Sequence, residues 1–353
     1  MGARSGNNYL SALRKLKAVL WLNDARVADP TIHPAFIQRT RAIASLYDLQ
    51  MEHPAAMTYR LDDGDRTGIS FIQPQSIDDL RKRSIMFRRW AEYTGGLLGN
   101  TPDRENTRLA AMAAAARFFA AGEARFGENI RNYYLEARRR DWCIAAAALN
   151  SAKALSIIDQ SDAGILVSGT LTLAGLGPLA EELFVFPTAP LSSRAHTLVF
   201  AIGSNTPGIE LRCRAATPKA LFLELECIAT FDRVLIPWTR VFLCGDITRR
   251  AALLDETGAA INLMHQTVVR ETVATEFRLG SMMNLAVRCN ALALPQIRAG
   301  LDEMIVATRL ARSLLQAAEA SAQADRWGEW LPAAPPLAIA NRLFAQLDPR
   351  GRT

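Results

Sequence analysis

The sequence lacks the features of several classes of protein. Its five cysteines are scattered and include no Cys-x-x-Cys pair, so neither a disulfide framework nor secretion is indicated. No N-terminal apolar segment precedes a small-residue cleavage site, and no apolar run reaches the roughly 20 residues of a membrane-spanning helix. We therefore expect a cytoplasmic protein with reduced thiols and no membrane partner.

A concentrated basic region is also missing. The net charge is +6, but the arginines are spread along the chain and form no basic run with interleaved aromatic residues. We therefore expect no nucleic-acid partner. What remains is an ordinary globular composition of 353 residues, half of them hydrophobic, which is enough for one large core or two smaller ones.

The N-terminal part has helical patterns. Ser76 and Asp79 have the spacing of a capping box, and Leu80, Phe87 and Trp90 follow at helical spacing. We assign residues 1–150 to an N-terminal, mainly helical domain. Its other predicted elements are helices at 102–119 and 123–140 and hairpins at 18–27 and 57–71.

The pattern changes near residue 150. Short β-rich runs separated by Gly, Pro and Asn predict a central β domain at 151–245, and the sheet should be antiparallel because no helical run connects the strands. Helical periodicity returns in residues 246–353, which we assign to a C-terminal helical bundle. The runs are strands at 165–168, 183–186, 197–202, 209–213 and 233–236, and helices at 259–289, at 294–324 and from 336.

Several local stretches resemble one family. They are Thr94–Asp103 (TGGLLGNTPD), Asp162–Gly169 (DAGILVSG), Gly177–Glu182 (GPLAEE), Asn205–Gly208 (NTPG) and Phe231–Phe242 (FDRVLIPWTRVF). With these, the chain resembles the oxygenase component family of 4-hydroxyphenylacetate 3-monooxygenase, over residues 8 to about 350. The resemblance implies an α+β, acyl-CoA dehydrogenase-like fold with an N-terminal helical domain, a central antiparallel β-barrel and a C-terminal helical bundle, here shortened.

The resemblance also implies a chemistry. In that family, reduced FAD diffuses from a flavin reductase and, with oxygen, supports hydroxylation of a phenol beside its hydroxyl group, while the protein positions the phenol and excludes water. We accordingly expect diffusible FAD as cofactor, if flavin binding is retained, a flavin reductase as partner, and a homodimer or higher homo-oligomer.

The positions that match the family's site residues differ from the family pattern. Asn100 and Arg104 stand where the family has an arginine and a tyrosine that reach the phenol. Ala146 falls at the position of a histidine that handles the phenolic proton, and alanine accepts no proton. Gly175 aligns with a flavin-contacting threonine, and Thr188 keeps one hydroxyl of a Ser-Thr pair that holds a substrate carboxylate. We assign Asn100, Ala146 and Thr188 to the substrate side and Gly175 to the cofactor side.

Two residues are candidate catalytic groups. His265 is predicted to be a pocket-facing acid or base, with a packed helical histidine bonded to a carbonyl as the alternative. Arg104 is predicted to bind a carboxylate or an enolate, with a salt bridge to Asp103 or Glu105 as the alternative.

Two further residues are candidate binding groups. Arg270 is predicted to approach a flavin phosphate, or else to face a carboxylate such as Glu271. Trp142 is predicted to line an aromatic substrate pocket, with a place in the core as the alternative.

An iron–sulfur variant of the fold is not expected. The related 4-hydroxybutyryl-CoA dehydratases hold their cluster through an early Cys-x3-Cys pair and a histidine followed seven residues later by cysteine. Here Thr272 stands seven residues after His265, and no cysteine precedes Cys143. We therefore expect no metal site.

Three functions are compatible with these observations. The leading one is a diverged flavin-dependent, monooxygenase-like tailoring enzyme of secondary metabolism, which acts on an aromatic or polyketide-like small molecule and is not a simple phenol ortho-hydroxylase. The second is a flavin-independent cyclase or isomerase that uses the vacated cleft, with Arg104 and His265 as polarising groups. The third is a non-catalytic pseudo-oxygenase.

Overall fold

The computed structural model describes residues 2–149, 155–173, 175–187, 194–215 and 225–347. Its helices are α1 Gly6–Leu16, α2 Ile37–Glu52, α3 Pro54–Met57, α4 Ile77–Tyr93, α5 Pro102–Ala114, α6 Ala116–Ala120, α7 Ala124–Arg140, α8 Ile247–Glu256, α9 Ala259–Arg288, α10 Pro295–Ala320 and α11 Ala334–Leu347. Its strands are β1 Val19–Leu22, β2 Ala25–Val27, β3 Thr58–Arg60, β4 Arg66–Gly68, β5 Ile144–Leu149, β6 Leu155–Ser161, β7 Gly164–Leu173, β8 Glu182–Pro187, β9 Leu198–Gly203, β10 Ile209–Ala215, β11 Leu225–Pro237, β12 Val241–Cys244, β13 Gln323–Ala324 and β14 Trp330–Leu331.

The chain forms two compact units. Unit 1 comprises residues 1–71 and 99–259, and unit 2 comprises residues 72–98 and 260–353. The mixed helix and sheet content confirms the expected fold class. The division into three domains at 150 and 245 stays a prediction.

Unit 1 is built around one large sheet. Its strands are hydrogen-bonded in the order β12-β9-β8-β5-β7-β11-β10-β1-β2, and β6 pairs with β7. The sheet is mixed, so the expectation of wholly antiparallel pairing was wrong in two places, because β1 pairs with β10 and β5 with β8 in parallel. The chain passes from β5 through the β6–β7 hairpin to β8. Because β7 runs opposite to both β5 and β6, the next strand, β8, can run in the same direction as β5 and pair with it in parallel.

The strand β5 lies within residues that the sequence assigned to the helical part. It consists mostly of alanine, which has little preference for strands, and so gave no β signal. The hairpin at 18–27 was predicted and is present, with Asn23 and Asp24 at φ 47° and 63° in its turn. This hairpin adds β1 and β2 to the end of the sheet.

The N-terminal helices largely follow the sequence. Ser76 caps α4, with its side chain accepting a hydrogen bond from the backbone N–H of Asp79 at 3.2 Å, so the predicted N-cap is confirmed. The Asp79 carboxylate accepts from the backbone N–H of Gln75 at 3.4 Å and not from that of Ser76, so the reciprocal half of the capping box is displaced by one residue. The helix predicted from Pro102 to Phe119 is interrupted at Ala115, where φ and ψ are −84° and 27°, and continues as α6. The third predicted helix corresponds to α7, which ends at Arg140 and is followed by Asp141 in the left-handed conformation.

Unit 2 contains α4 and the C-terminal helices. Apolar side chains of α9, α10 and α11, three of them alanines, form its apolar cluster, so the helices pack closely. The helix predicted to reach residue 324 ends at Ala320, and the next residues form the β13–β14 hairpin. Among the described helices, none is both long and apolar enough to span a lipid bilayer.

Candidate active site

The substrate-side and cofactor-side predictions meet at one place in unit 1. Asn100 lies just before α5, and Gly175 follows the end of β7. A Cβ atom placed on Gly175 would lie 3.2 Å from Asn100 Nδ2 and 2.7 Å from Arg39 Nη2. The structure therefore brings Asn100 and Gly175 together, and the guanidinium of the buried Arg39 lies at the same point.

Arg39 was missed by the sequence analysis. It lies on the buried side of α2 and is 5% exposed. Other buried residues of that side, including Ile43, Leu46 and Tyr47, follow at helical spacing. A signal was available, because an arginine on an otherwise apolar stripe is seldom placed there without a role for its charge.

Arg104 lies in the first turn of α5 and is half-buried. Glu105, one of its two expected alternative partners, forms an ion pair with Arg108. The Arg108 guanidinium also lies 4.1 Å from the centroid of the Phe186 ring. Burial lowers the pKa of Arg108, and the nearby positive charge of Arg104 adds to that effect.

Ala146 lies on β5 and is 8% exposed. It stands opposite Phe184 of β8 in the parallel register, and α5 packs against β5. Its methyl group supplies no proton acceptor, as expected from the sequence. Thr188 lies outside the described residues.

Trp142 belongs to a different cluster of unit 1. Its ring centroid is 6.1 Å from that of Tyr133, and the Arg240 guanidinium lies 5.6 Å from it. Arg240 in turn pairs with Glu182 at 2.9 Å. Burial raises the pKa of Glu182 to about 7, although Arg240 opposes the shift. Among the described residues, the Trp142 ring contacts Tyr133, Arg140 and Arg240, and these contacts favour the packing alternative.

His265 lies in unit 2 on α9 and is fully buried. Its Nε2 is 2.9 Å from Glu319 Oε1, so its partner is a carboxylate and not the expected carbonyl. Burial lowers the pKa of His265, although Glu319 favours the charged form. Nδ1 has no hydrogen-bond partner among the described residues. A neutral ring that donates from Nε2 to Glu319 would therefore keep an acceptor lone pair on Nδ1.

Arg270 also lies on α9 in unit 2. Its Nη1 donates to the carbonyl oxygen of Gly96 at 3.1 Å, and its Nη2 lies 2.7 Å from Glu271 Oε1. The guanidinium therefore ties α9 to the turn after α4. The predicted carboxylate partner Glu271 is present, and a role toward a flavin phosphate stays a prediction.

A further cleft lies in unit 1, away from these residues. It has a volume of about 830 Å³ and none of the predicted site residues lines it. Across the part of the chain that the structure describes, no three His, Cys, Asp or Glu side chains are grouped as a metal would require. Asn100 and Gly175, which lie close together beside Arg39, stay the predicted site residues of unit 1.

The sequence matches two family models that together span nearly the whole chain. Residues 5–243 match the model described as 4-hydroxyphenylacetate 3-hydroxylase N terminal, and residues 251–352 match the model of the C-terminal part.

Two relatives illustrate the range of similar proteins. The chain is 33% identical to the 4-hydroxyphenylacetate 3-monooxygenase oxygenase component of Geobacillus sp., over 99% of this chain and 77% of the relative. It is 29% identical to a monooxygenase of Streptomyces globisporus, over 97% of this chain and 70% of the relative. The latter is named for a 3-amino-3-(3-chloro-4-hydroxyphenyl)propanoyl group carried on a peptidyl-carrier protein.

A solved structure has the same fold. The oxygenase component of 4-hydroxyphenylacetate 3-monooxygenase, complexed with FAD and 4-hydroxyphenylacetate, superposes with a TM-score of 0.92 at 32% identity. The match covers 99% of this chain and 78% of that chain. The relatives are thus monooxygenases, and a related structure binds FAD.

Proposed function

The chain belongs to the 4-hydroxyphenylacetate 3-hydroxylase family, and from that membership we propose that it is the oxygenase component of a two-component, flavin-dependent monooxygenase that tailors a phenolic small molecule. The observation that carries the proposal is the match over nearly the whole chain to an oxygenase component whose structure holds FAD and a phenol. The Streptomyces relative supports a place in secondary metabolism, because its named substrate is a carrier-bound, substituted phenol.

The residues of unit 1 fit an oxygen-rich aromatic ligand. Gly175 has no side chain, so the Arg39 guanidinium and the Asn100 amide nitrogen pack closely against it, where a Cβ atom would lie only 2.7 Å and 3.2 Å from them. Carbonyl and phenolic oxygens of a flavin or a phenol are acceptors that suit such donors. In this proposal, reduced FAD supplies the electrons that activate oxygen, and the protein binds, orients and shields the reactants.

The chain's own residues then have separate roles. Gly175 lets the Arg39 guanidinium approach the backbone closely on the cofactor side, and Asn100 donates to an oxygen of the flavin or of the substrate. Arg104 orients an acidic group of the substrate. In unit 2, the neutral His265 ring offers Nδ1 as an acceptor, and Arg270 is the candidate partner for a flavin phosphate. Since Ala146 accepts no proton, proton removal from the phenol must rely on another group or on water.

The remaining partners follow from the same proposal. A flavin reductase supplies reduced FAD, and the protein works as a homodimer or higher homo-oligomer. The cyclase or isomerase alternative receives no support from these relatives, which are named as monooxygenases. The following experiment distinguishes the proposed monooxygenase from a non-catalytic pseudo-oxygenase.

An anaerobic titration tests the proposal. We expect reduced FAD to bind the purified protein in the micromolar range, measured by flavin fluorescence and calorimetry. Admission of isotopically heavy oxygen with a phenolic substrate should then give a product that carries one heavy oxygen atom. A protein that binds neither FAD nor FMN in the reduced state would contradict the proposal and favour the cofactor-free alternatives. Binding of flavin without oxygen transfer to any phenol would favour the pseudo-oxygenase.

A further inference from the structure

Two of the five cysteines face each other across neighbouring strands of unit 1. Cys213 of β10 stands directly opposite Cys227 of β11 in the antiparallel register, and the two residues are 2% and 0% exposed. Because side chains alternate between the two faces of a sheet, directly opposed residues share a face. The fold therefore places two buried thiols side by side, although they are fourteen residues apart in the sequence.

The two thiols also interact. A hydrogen bond with Cys213 is the largest cause that raises the pKa of Cys227, and burial adds to it. A thiol is only a weak donor and acceptor, so a hydrogen bond between two thiols requires the sulfur atoms to be close neighbours. The raised pKa keeps Cys227 protonated at neutral pH, and a thiol reacts more slowly than a thiolate. The pair is therefore in position to form a covalent bond but is slow to react.

The strand geometry is compatible with a disulfide. Directly opposed residues of an antiparallel pair have Cα atoms about 4.5 or 5.5 Å apart, and both distances lie within the range of about 4.4–6.8 Å found in disulfides. Their Cβ atoms are about 4.5–5.5 Å apart, which is wider than the roughly 3.8 Å usual in a disulfide. Such a bond forms with some strain, and strained disulfides are the more easily reduced ones.

The pair lies near an end of both strands. β10 ends at Ala215 and β11 begins at Leu225, each two residues from its cysteine. A cleft of about 580 Å³ borders this end of the sheet, and both cysteines are among its lining residues. The ends of an element open locally at a lower free-energy cost than its centre, so a small oxidant reaches the thiols without global unfolding.

Resting on the proposed function for the source of the oxidant, we propose that Cys213 and Cys227 are a modification site at which hydrogen peroxide forms a reversible cross-strand disulfide. One thiol is oxidised to a sulfenic acid with release of one water molecule, and the other thiol then displaces a second water molecule as the S–S bond forms. Peroxide gains the two electrons that the thiols lose. A reduced flavin supplies two electrons and two protons that convert oxygen to hydrogen peroxide whenever no oxygen atom is transferred to a substrate.

The modification site lies next to the cofactor-side residue that the sequence predicted. Cys227 stands opposite Leu173 of β7, and a Cβ atom on Gly177 would lie 2.6 Å from Leu173 Cδ1. Gly175 lies between Leu173 and Gly177 in the chain. A disulfide between β10 and β11 would therefore restrain the strand that pairs with β7 just before Gly175.

The experiment treats the folded wild-type protein with hydrogen peroxide, without flavin, and alkylates the remaining thiols after denaturation. Digestion without reduction and mass spectrometry should identify a peptide in which Cys213 and Cys227 are linked. We expect the linked form in about half of the chains or more, and its loss after treatment with dithiothreitol. The far-UV spectrum, recorded before and after oxidation, checks that the protein stays folded.

Two controls separate this pair from the other cysteines. Cys289→Ser removes an exposed thiol and should leave the amount of linked peptide unchanged. Cys143 is equally buried but lies one residue before β5, outside the strand pairs of the described sheet, so it should remain a free thiol under the same conditions.

The inference is overturned if both thiols are still alkylated after oxidation, if each is oxidised separately to a sulfinic or sulfonic acid, or if the disulfide forms only in the unfolded protein. The outcome does not depend on flavin, because the peroxide is added. A protein that forms this disulfide but binds no reduced flavin would therefore support the inference and reject the proposed function.

Discussion

Glu329 of unit 2 is a buried carboxyl whose pKa lies well above its ordinary value. Its carboxylate lies 3.5 Å from Arg83 Nη1, and both side chains are almost fully buried. Burial raises the pKa of Glu329 to about 7, although Arg83 favours the charged form. The folded state therefore prefers the protonated carboxyl, whereas the unfolded chain ionises near its ordinary pKa of 4.5. This group's contribution to stability is present below about pH 4.5 and is lost as the pH rises to about 7.

The substitution Glu329→Gln tests this sign, because glutamine imitates the protonated form. We expect the unfolding free energy of the variant, minus that of the wild type, to rise between about pH 4.5 and 7 by on the order of 3 kcal/mol, and then to level off. Denaturant unfolding at a series of pH values measures it. Glu303→Gln, at an exposed position of α10, controls for the loss of a carboxylate. A difference that falls with pH would contradict the raised pKa.

Single residues were predictable from the sequence to different degrees. The resemblance identified Asn100 and Gly175, and the structure brings these two together. Arg39 could not be placed there, since its approach to Gly175 joins positions more than one hundred residues apart, and no local pattern reports such a contact. His265 was identified as a candidate, but its partner Glu319 lies on another helix, and spacing along one helix gives no information about it.

Gly96 allows the turn after α4 to pack closely against α9. It follows α4 in the left-handed conformation, at φ +70°, and a Cβ atom there would lie 2.6 Å from the backbone nitrogen of Ala274 on α9. Its carbonyl also accepts the hydrogen bond from Arg270. The turn after α4 therefore packs directly on the α9 backbone, and it does so because residue 96 has no side chain.

The substitution Gly96→Ala is expected to destabilise unit 2 by about 2 kcal/mol or more, through backbone strain and the clash with Ala274. The matched control is Gly280→Ala on α9, where a Cβ atom meets nothing within 4 Å. It should stabilise the protein by about 0.5–1 kcal/mol, because alanine is the better helix former. Thermal and denaturant unfolding measure both variants. Equal effects of the two substitutions would argue against the close packing of this turn.

Whole elements were predicted best where the signal is local. The Ser76 N-cap of α4 and the tight turn between β1 and β2 depend on residues within a few positions of each other, and both were predicted. The strand β5 and the parallel pairing of β1 with β10 were not predicted, because alanine does not signal a strand and pairing depends on residues nearly two hundred positions away. The break at Ala115 likewise has no glycine or proline to mark it.

At the scale of the whole molecule, unit 2 carries apolar side chains on its surface. Along α9 and α10, we define the apolar surface as the exposed residues Phe277, Met282, Met283, Leu285, Val287, Ile305, Val306 and Leu310. Leu285 and Val306 are more than 60% exposed. Many neighbouring apolar side chains in water are costly, and such surfaces commonly mark contacts with another protein. This is the surface through which we expect copies of the chain to associate.

Self-association through this surface is tested by light scattering coupled to size exclusion. We expect the wild type to run as a dimer or larger species, and Val306→Asp combined with Leu285→Asp to run as a smaller one, because a carboxylate buried in an apolar contact loses its hydration. Gln323→Asp introduces the same charge outside the apolar surface and should not change the mass. Both carboxylates would be exposed in the monomer, so the far-UV spectrum of the double variant should match that of the wild type.

A wild type that is monomeric at all concentrations, or a double variant of unchanged mass, would contradict this assignment. The apolar surface would then have to be covered by a different protein, for which the proposed flavin reductase is the first to test.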